Sequence, residues 1–216
     1  VEIHLSTSSV RTRASVESGD DGSFAVDSMG VFCLAKADLN VNPVELPINW
    51  SRYVSNDHWS IWMDNVKCNA VKDASGTAIK WADKDAVYMY PTGNWHSYDF
   101  YAYYPYQQST DVSSEVVSAT IALDGTQDVI WGRTKSDEQY AYSAKYFRNN
   151  KAKSPALSMS HRFMRITFSI IAGRDSTGSK EPAKTMGVKS LSVVNVPAYA
   201  KLIIADRYNP ENDGKI

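Results

Sequence analysis

The chain has 216 residues, of which 43% are hydrophobic and 22% are charged, and its formal net charge is −1. A charge this close to zero gives no electrostatic basis for binding nucleic acid or an anionic membrane surface. No apolar run approaches the roughly 20 residues of a membrane-spanning helix, and no signal peptide is recognisable at the start. The length suits one large all-β domain, or one domain with a fragment of a second.

Short strand patterns bounded by Gly, Asn, Asp, Ser and Pro predict an all-β chain. The first strand is residues 1–7, with Val1, Ile3 and Leu5 on one face, and the flexible polar stretch after it holds Arg11 and Arg13. Further strands are predicted at residues 24–36, 50–71, 78–91 (two short strands), 98–105, 116–124, 128–134, 156–171, 188–196 and 198–205, with a short helix or a loop at 136–154. This spacing predicts a β-sandwich of about 7–10 strands with few or no helices.

The aromatic segment YDFYAYYP, residues 98–105, differs from the other strands in its density of rings. Alternation places Tyr98, Phe100 and Tyr104 on one face, with Tyr101 and Tyr103 on the other. Because rings cover both faces, we expect a central strand, or a strand whose outer face meets a partner or a long loop.

A change of phase interrupts the strand predicted at residues 156–171. Leu157, Met159 and Phe163 share one parity, whereas Met164 and Ile166 share the other. One extra residue near positions 161–163 would re-aim the side chains, so we predict a β-bulge or a strand break there.

Signatures of catalysis are absent from the sequence, because GxSxG, GxxxxGK[ST], HExxH and GxGxxG do not occur. Ser160 and His161 are adjacent in a predicted strand, so their side chains point to opposite faces and do not form a nucleophile–base pair. No pair of histidines has the close spacing of metal ligands. We therefore expect neither an enzyme nor a cofactor or metal site.

Two further groups of residues allow more than one interpretation, a calcium site or solvated loops for the acidic stretches, and a disulfide or free thiols for the cysteines. The stretch 206–213 and the pair Asp20–Asp21 are rich in the oxygen ligands that calcium takes, but neither matches EF-hand spacing, so solvated loops are the favoured interpretation. Cys33 and Cys68 are predicted to be two buried thiols. A disulfide between them stays open, because the sequence does not fix their distance.

The tryptophans support an alternative function, that of a surface module that binds glycans. If Trp50, Trp59, Trp62 and Trp95 are exposed on one open face, they form a platform on which sugar rings stack. The competing interpretation is that these rings build the core and cover its edges, and we favour it over glycan binding.

The first strand is followed by a site at which proteases could act. Exposed polar segments are preferred sites of proteolysis, and a trypsin-like cut after Arg11 or Arg13 would detach residues 1–7 from the chain. If this strand belongs to the sheet, its loss opens a groove lined by unpaired backbone groups, which is a template for a strand from another chain. The plainer alternative is two solvated arginines in a loop.

Four ordered segments resemble the fimbrillin-like proteins of Bacteroidales, the subunits of type V fimbriae. The segments are SSVRTRA at 8–14, WHSYDFYAYYP at 95–105, DVIWGRT at 128–134 and LSMSHRFMRITFSI at 157–170. In the last of these, His161 stands at the family histidine, and Met159 stands where the family often has Phe. The resemblance covers roughly residues 1–200.

The resemblance implies a transthyretin-like Greek-key sandwich, export as a lipoprotein anchored by a lipid rather than a transmembrane span, and a place in a fimbria at the outer membrane. It also implies assembly with other fimbrial subunits by β-strand addition after proteolytic removal of the first strand. Whether the chain is a stalk, tip, anchor or adhesive subunit stays open, and an adhesive role would add a surface protein or glycan of host or bacterium as a partner. On this basis residues 1–205 form the domain, with 1–13 as the removable strand and arginine loop. Residues 206–216 are expected to be a linker or the start of a second domain.

Overall fold

A computed structural model describes residues 1–11, 26–35, 50, 60–73, 76–90, 98–125, 128–134, 142–149, 154–163 and 189–216. Strands dominate these residues, so the all-β prediction is confirmed. They are β1 Ser6–Arg11, β2 Val26–Ala35, β3 Ile61–Asp73, β4 Gly76–Trp81, β5 Tyr98–Tyr104, β6 Asp111–Val112, β7 Val116–Ala122, β8 Ile130–Arg133, β9 Ala156–His161 and β10 Tyr199–Asp206. The described helices are α1 Ala144–Asn149, within the predicted helix or loop at 136–154, and one 3-10 turn, Pro210–Asn212.

The strands form two sheets. Seven of them close on themselves in the order β1-β4-β3-β2-β5-β8-β9, with β9 returning to β1. Neighbours in this closed sheet are antiparallel except β1 and β9, which run parallel. The other three strands form an antiparallel sheet in the order β10-β7-β6. The described strands thus form a barrel with a small second sheet, and the sandwich with Greek-key topology remains a prediction.

β5 is the central aromatic strand that the sequence predicts. It pairs with β2 on one side and with β8 on the other. Residues 98–103 are buried on both faces, and Phe100 and Tyr103 are fully enclosed. The ring of Phe100 packs edge-on against Tyr90 and Tyr142, with centroids 6.2 and 5.9 Å away. Because each buried ring removes a large apolar area from water, this cluster contributes strongly to stability.

A glycine in β2 makes room for one of these rings. Gly30 lies opposite Tyr103, and a Cβ atom on it would lie 2.8 Å from Cζ of that ring and 2.5 Å from Asn65 Oδ1. The Tyr103 hydroxyl donates to Asn65 Oδ1 at 2.9 Å, and the Asn65 amide donates to the Gln107 carbonyl at 2.7 Å. These bonds fix the ring against the glycine, so the site has no space for a larger residue.

The small sheet is tied to the barrel through β8 and β10. The indole N–H of Trp131 donates to the Ile204 carbonyl at 2.9 Å, which joins the two sheets directly. Along β7, Val117, Ala119 and Ile121 are buried, as the alternating sequence pattern predicts. They belong to the same hydrophobic cluster as the rings of β5, so one core serves both sheets.

Several strand predictions differ from the structure or reach beyond it. Of the two short strands predicted at 78–91 only β4 forms, since residues 82–90 contain no ladder and make one isolated bridge, Met89 with Glu2. The first strand begins at Ser6 instead of residue 1, and residues 8–11 lie within it because their backbone pairs with β9, so the predicted flexible stretch is wrong there. β9 ends at His161, in agreement with the predicted break, while its predicted continuation from residue 164 lies outside the described residues. The strand predicted at 188–196 is wrong for residues 189–196, which have no ladder partner among the described residues.

Candidate functional site

β1 occupies an internal position of the closed sheet. On one side Ser6 and Thr7 pair with Ala78 and Thr77 of β4 in antiparallel register. On the other side Ser6, Thr7 and Ser8 pair in parallel with residues 156–158 of β9. An internal strand satisfies its backbone groups on both sides, so removing β1 would leave two unpaired edges facing each other.

The residues before β1 continue the same path along the barrel. The Ile3 N–H donates to the Tyr88 carbonyl at 2.8 Å, and the Leu5 carbonyl accepts from the Ile79 N–H at 3.1 Å. Backbone bonds therefore hold the segment next to each of its two inner apolar residues. We call the space that residues 1–11 fill the β1 slot.

Burial separates the three apolar residues that the sequence places on one face. Ile3 is 0% exposed and Leu5 is 4% exposed, whereas Val1 is 53% exposed. Ile3 and Leu5 belong to the hydrophobic cluster that contains the rings of β5. Two of the three residues therefore lie in the hydrophobic core, and Val1 lies largely in water.

Of the two arginines considered as processing sites, only Arg11 lies within the described residues. Arg11 is the last residue of β1, and its backbone pairs with Ser160 of β9. The pairing before it is irregular, because the register shifts between Ser8 and Arg11. Arg13 lies outside the described residues. A protease that cuts after Arg11 must act at the end of a ladder, where strand ends open most readily.

Of the four tryptophans considered for glycan stacking, the structure describes two. Trp50 is 2% exposed and its indole N–H donates to a backbone carbonyl at 3.1 Å, so its ring belongs to the core and offers no free face to a sugar. Trp62 packs partly buried against the core and donates to a backbone carbonyl at 2.7 Å. Trp59 and Trp95 lie outside the described residues.

His161 faces a carboxylate and not its neighbour Ser160. Its Nδ1 lies 2.5 Å from Asp128 Oδ2, and both side chains are largely buried. The Ser160 hydroxyl donates to the Trp131 carbonyl at 3.4 Å. The two side chains thus lack the hydrogen bond that an activated nucleophile needs. Within the described ranges, no three His, Cys, Asp or Glu side chains gather as metal ligands would.

Both cysteines are buried free thiols, so the two-thiol prediction is confirmed. Burial raises the pKa of Cys68 to about 12. Burial, together with the nearby charge of Asp99, raises the pKa of Cys33 well above its ordinary value. Because the thiolate is the reactive form of cysteine, burial suppresses the reactivity of both thiols at neutral pH.

The last described stretch, residues 206–216, folds back on the small sheet, and we call it the C-terminal turn. The Gly214 N–H donates to the Ile203 carbonyl at 2.7 Å, and the Ile203 N–H donates to the Lys215 carbonyl at 2.9 Å. Gly214 has a φ of 74°, which favours glycine, and a Cβ on it would lie 2.6 Å from the Trp131 ring. The turn is therefore packed tightly against the domain, and its role as a linker stays a prediction.

Asp213 holds the C-terminal turn in place. Its Oδ2 lies 2.5 Å from Arg133 Nη1 of β8, and its Oδ1 accepts from the Asp206 N–H at 2.7 Å. The prediction of a solvated loop is wrong for Asp206 and Asp213, which are 9% and 8% exposed. No sequence signal reveals this contact, because Arg133 and Asp213 are 80 positions apart.

Ionisation of Asp213 is expected to lower stability as the pH rises. Burial raises the pKa of Asp213 from 3.8 to about 6, although the Asp206 N–H and Arg133 act in the opposite direction. Between these pH values the folded chain keeps a proton that the unfolded chain has lost, so the free energy of unfolding decreases as pH rises through this window. Asp213→Asn does not ionise and should abolish that decrease.

The measurement is urea unfolding of both proteins from pH 4 to pH 7. The stability of the wild type relative to Asp213→Asn should fall by about 2 kcal/mol over this range. A difference that stays constant with pH, or that grows in favour of the wild type, would contradict the prediction.

Comparison of the sequence with known protein families identifies the family of this chain. The sequence profile described as fimbrillin-like matches residues 12–214. The chain belongs to the fimbrillin-like family. Members of this family are structural subunits of cell-surface fimbriae that assemble with other fimbrial subunits, and the family is not typically enzymatic.

The remaining comparisons give no closer relative for this fimbrillin-like chain. No curated protein and no solved structure matches it. Among the described residues, no helix is both long enough and apolar enough to span a membrane. The family match begins at residue 12, directly after β1, so the role of residues 1–11 rests on the geometry of the β1 slot.

Proposed function

We propose that this fimbrillin-like chain is a structural or adhesive subunit of a fimbria and joins its neighbours by strand exchange at the β1 slot. The observation that best supports this is that, among the described strands, β1 alone lies between β4 and β9 and closes the sheet. A cut after Arg11 or Arg13 makes residues 1–11 part of a separate peptide held by noncovalent contacts. A strand from another subunit can then replace it without rearranging the other strands.

An empty β1 slot would be unfavourable in water, and this favours its refilling by another strand. Ile3 and Leu5 are fully or almost fully buried, and burial of such a side chain contributes about 1.5–3 kcal/mol. The edges of β4 and β9 would lose hydrogen bonds worth about 1 kcal/mol each. Because a donor strand restores both terms, main-chain bonds supply affinity and the apolar pockets set the register.

The proposal extends to the place of the subunit in the cell. We place it at the outer membrane, attached through a lipid on its precursor, with a transthyretin-like Greek-key domain over residues 1–205. Its partners are other fimbrial subunits, and an adhesive role adds a surface protein or glycan of host or bacterium. Family membership supports these features as expectations. Stacking of glycans on the predicted tryptophans is the weaker alternative, because Trp50 is buried.

Digestion of the folded protein with an Arg-specific protease tests the proposal. We expect a cut within residues 8–15, after which the protein should retain the cut fragment, as detected by native mass spectrometry. An excess of biotinylated peptide with the sequence of residues 1–11 should then replace this fragment. The matched control, Arg11→Lys with Arg13→Lys, should stay uncut within residues 8–15 and take up no peptide. If no cut occurs in this range, or if the cut fragment never exchanges, strand exchange at this site is wrong.

A further inference from the structure

The inward-facing residues before β1 are not equivalent. Val1, Ile3 and Leu5 share one parity, but only Ile3 and Leu5 are buried, at 0% and 4% exposure, while Val1 is 53% exposed. Both buried residues have a backbone hydrogen bond to a neighbouring segment, Ile3 to Tyr88 in the stretch after β4 and Leu5 to Ile79 in β4. The β1 slot therefore has two closed apolar pockets, spaced as alternate residues of one strand.

The outward-facing residues contribute little to the choice of a partner strand. Glu2 and His4 are exposed, and their contact, 3.7 Å between Glu2 Oε2 and His4 Nε2, joins two side chains that are 45% and 73% exposed. Even a charged pair this exposed contributes little to binding. Selectivity must therefore come from the inward face.

From this pattern we infer that the β1 slot selects a partner strand by two apolar residues two positions apart, at the places of Ile3 and Leu5, and requires nothing at the place of Val1. The inference rests on the proposed function. The partner is an extended segment of another subunit with the order apolar–any–apolar, followed by a stretch that pairs with β4 and β9.

The physical reason is the cost of a mismatch in a closed pocket. A charged or polar side chain in the pocket of Ile3 loses its hydration without gaining a partner, and a smaller apolar one leaves a cavity. A slip of the partner by one residue turns its apolar side chains outward and its polar ones inward, so the same two pockets also fix the register.

The end of the slot at residues 8–11 tolerates more variation in the length of a partner strand. The register between β1 and β9 shifts between Ser8 and Arg11, so the ladder is already irregular in this stretch. A partner with one residue more or fewer in this stretch can therefore still place its apolar pair in the two pockets.

Uptake of variant peptides by the Arg-cut protein tests this inference. Four biotinylated peptides of residues 1–11 are compared, namely the unchanged sequence, Ile3→Asp, Leu5→Asp and Val1→Asp, and uptake is measured by native mass spectrometry. The Val1→Asp peptide is the matched control, since it adds the same charge at the same parity. We expect it to equal the unchanged peptide within about twofold, and the other two to be taken up about 1,000-fold less.

The outcomes separate the inference from the proposed function. If Val1→Asp loses as much as Ile3→Asp, or if all four peptides are taken up equally, the two-pocket rule is overturned while strand exchange stands. If the unchanged peptide is not taken up at all, the proposed function is overturned and the inference with it.

Discussion

Ile3→Asp should destabilise the intact chain by about 4 kcal/mol. The substitution removes an apolar side chain that is 0% exposed and places a carboxylate in the hydrophobic core. The cost combines lost burial, a cavity and the desolvation of a charge. Equilibrium unfolding in urea at pH 7, followed by tryptophan fluorescence, measures the difference in free energy of unfolding.

Val1→Asp is the matched control for this substitution. Val1 has the same parity and lies two positions away, but it is 53% exposed, so its replacement should change stability by no more than about 0.5 kcal/mol. Similar effects of the two substitutions would contradict the burial of Ile3 in the core and would remove the basis of the two-pocket slot.

Gly30→Ala should cost about 3 kcal/mol, although it adds a single methyl group. The added Cβ would lie 2.8 Å from Cζ of Tyr103 and 2.5 Å from Asn65 Oδ1. Tyr103 is 0% exposed and its hydroxyl is hydrogen-bonded to Asn65, so the ring cannot move aside without breaking other contacts. Overpacking of a closed core is expected to have a cost of this size. The same urea titration measures it.

Gly125→Ala is the control for the loss of a glycine as such. Gly125 has a φ of 88°, and a Cβ on it would meet nothing within 4 Å. Its replacement should cost about 1 kcal/mol through backbone strain alone. If Gly30→Ala costs no more than Gly125→Ala, the close packing of Tyr103 on Gly30 is wrong.

Local sequence patterns predicted those strands whose burial follows from the residue types of the strand itself. Rings on both faces of residues 98–104 indicated a strand covered on both sides, and β5 is such a strand. Alternation of Val117, Ala119 and Ile121 likewise gave the buried face of β7. In both strands the side chains that decide burial are close neighbours in the sequence, so a short window suffices.

Features that depend on distant partners could not be predicted in this way. The bounds of β1 follow from its pairing with β4 and β9, which lie about 70 and 150 positions further along the chain. The predicted strand ended at residue 7, because the polar residues after it carry no apolar alternation, whereas the ladder in fact continues to Arg11. The closure of the barrel by a parallel pair has no local signal either.

The candidate site was predicted in part. Alternation identified the parity of Ile3 and Leu5 but could not separate them from Val1, because exposure depends on the barrel wall around each residue. The contact between Arg133 and Asp213 was missed, and the turn that it anchors looked like a solvated loop because its composition is polar. A polar segment whose charged residue is buried against a distant partner has the same local sequence pattern as a polar segment exposed to solvent.

A cross-link between β1 and β4 allows the central claim, that another strand replaces β1 in its slot, to be tested within one protein. Thr7 and Thr77 lie opposite each other in this antiparallel pair, and such residues have Cα atoms about 4.5–5.5 Å apart, which suits a disulfide. Cys33 and Cys68 are buried and do not compete. The variant Thr7→Cys/Thr77→Cys thus holds β1 when oxidised and frees it when reduced.

The decisive measurement is uptake of the residue 1–11 peptide by this variant after the Arg-specific cut. We expect uptake in the reduced form at the level of the unmodified protein, and none in the oxidised form. Equal uptake in both forms would contradict the account, because the peptide would then bind outside the β1 slot.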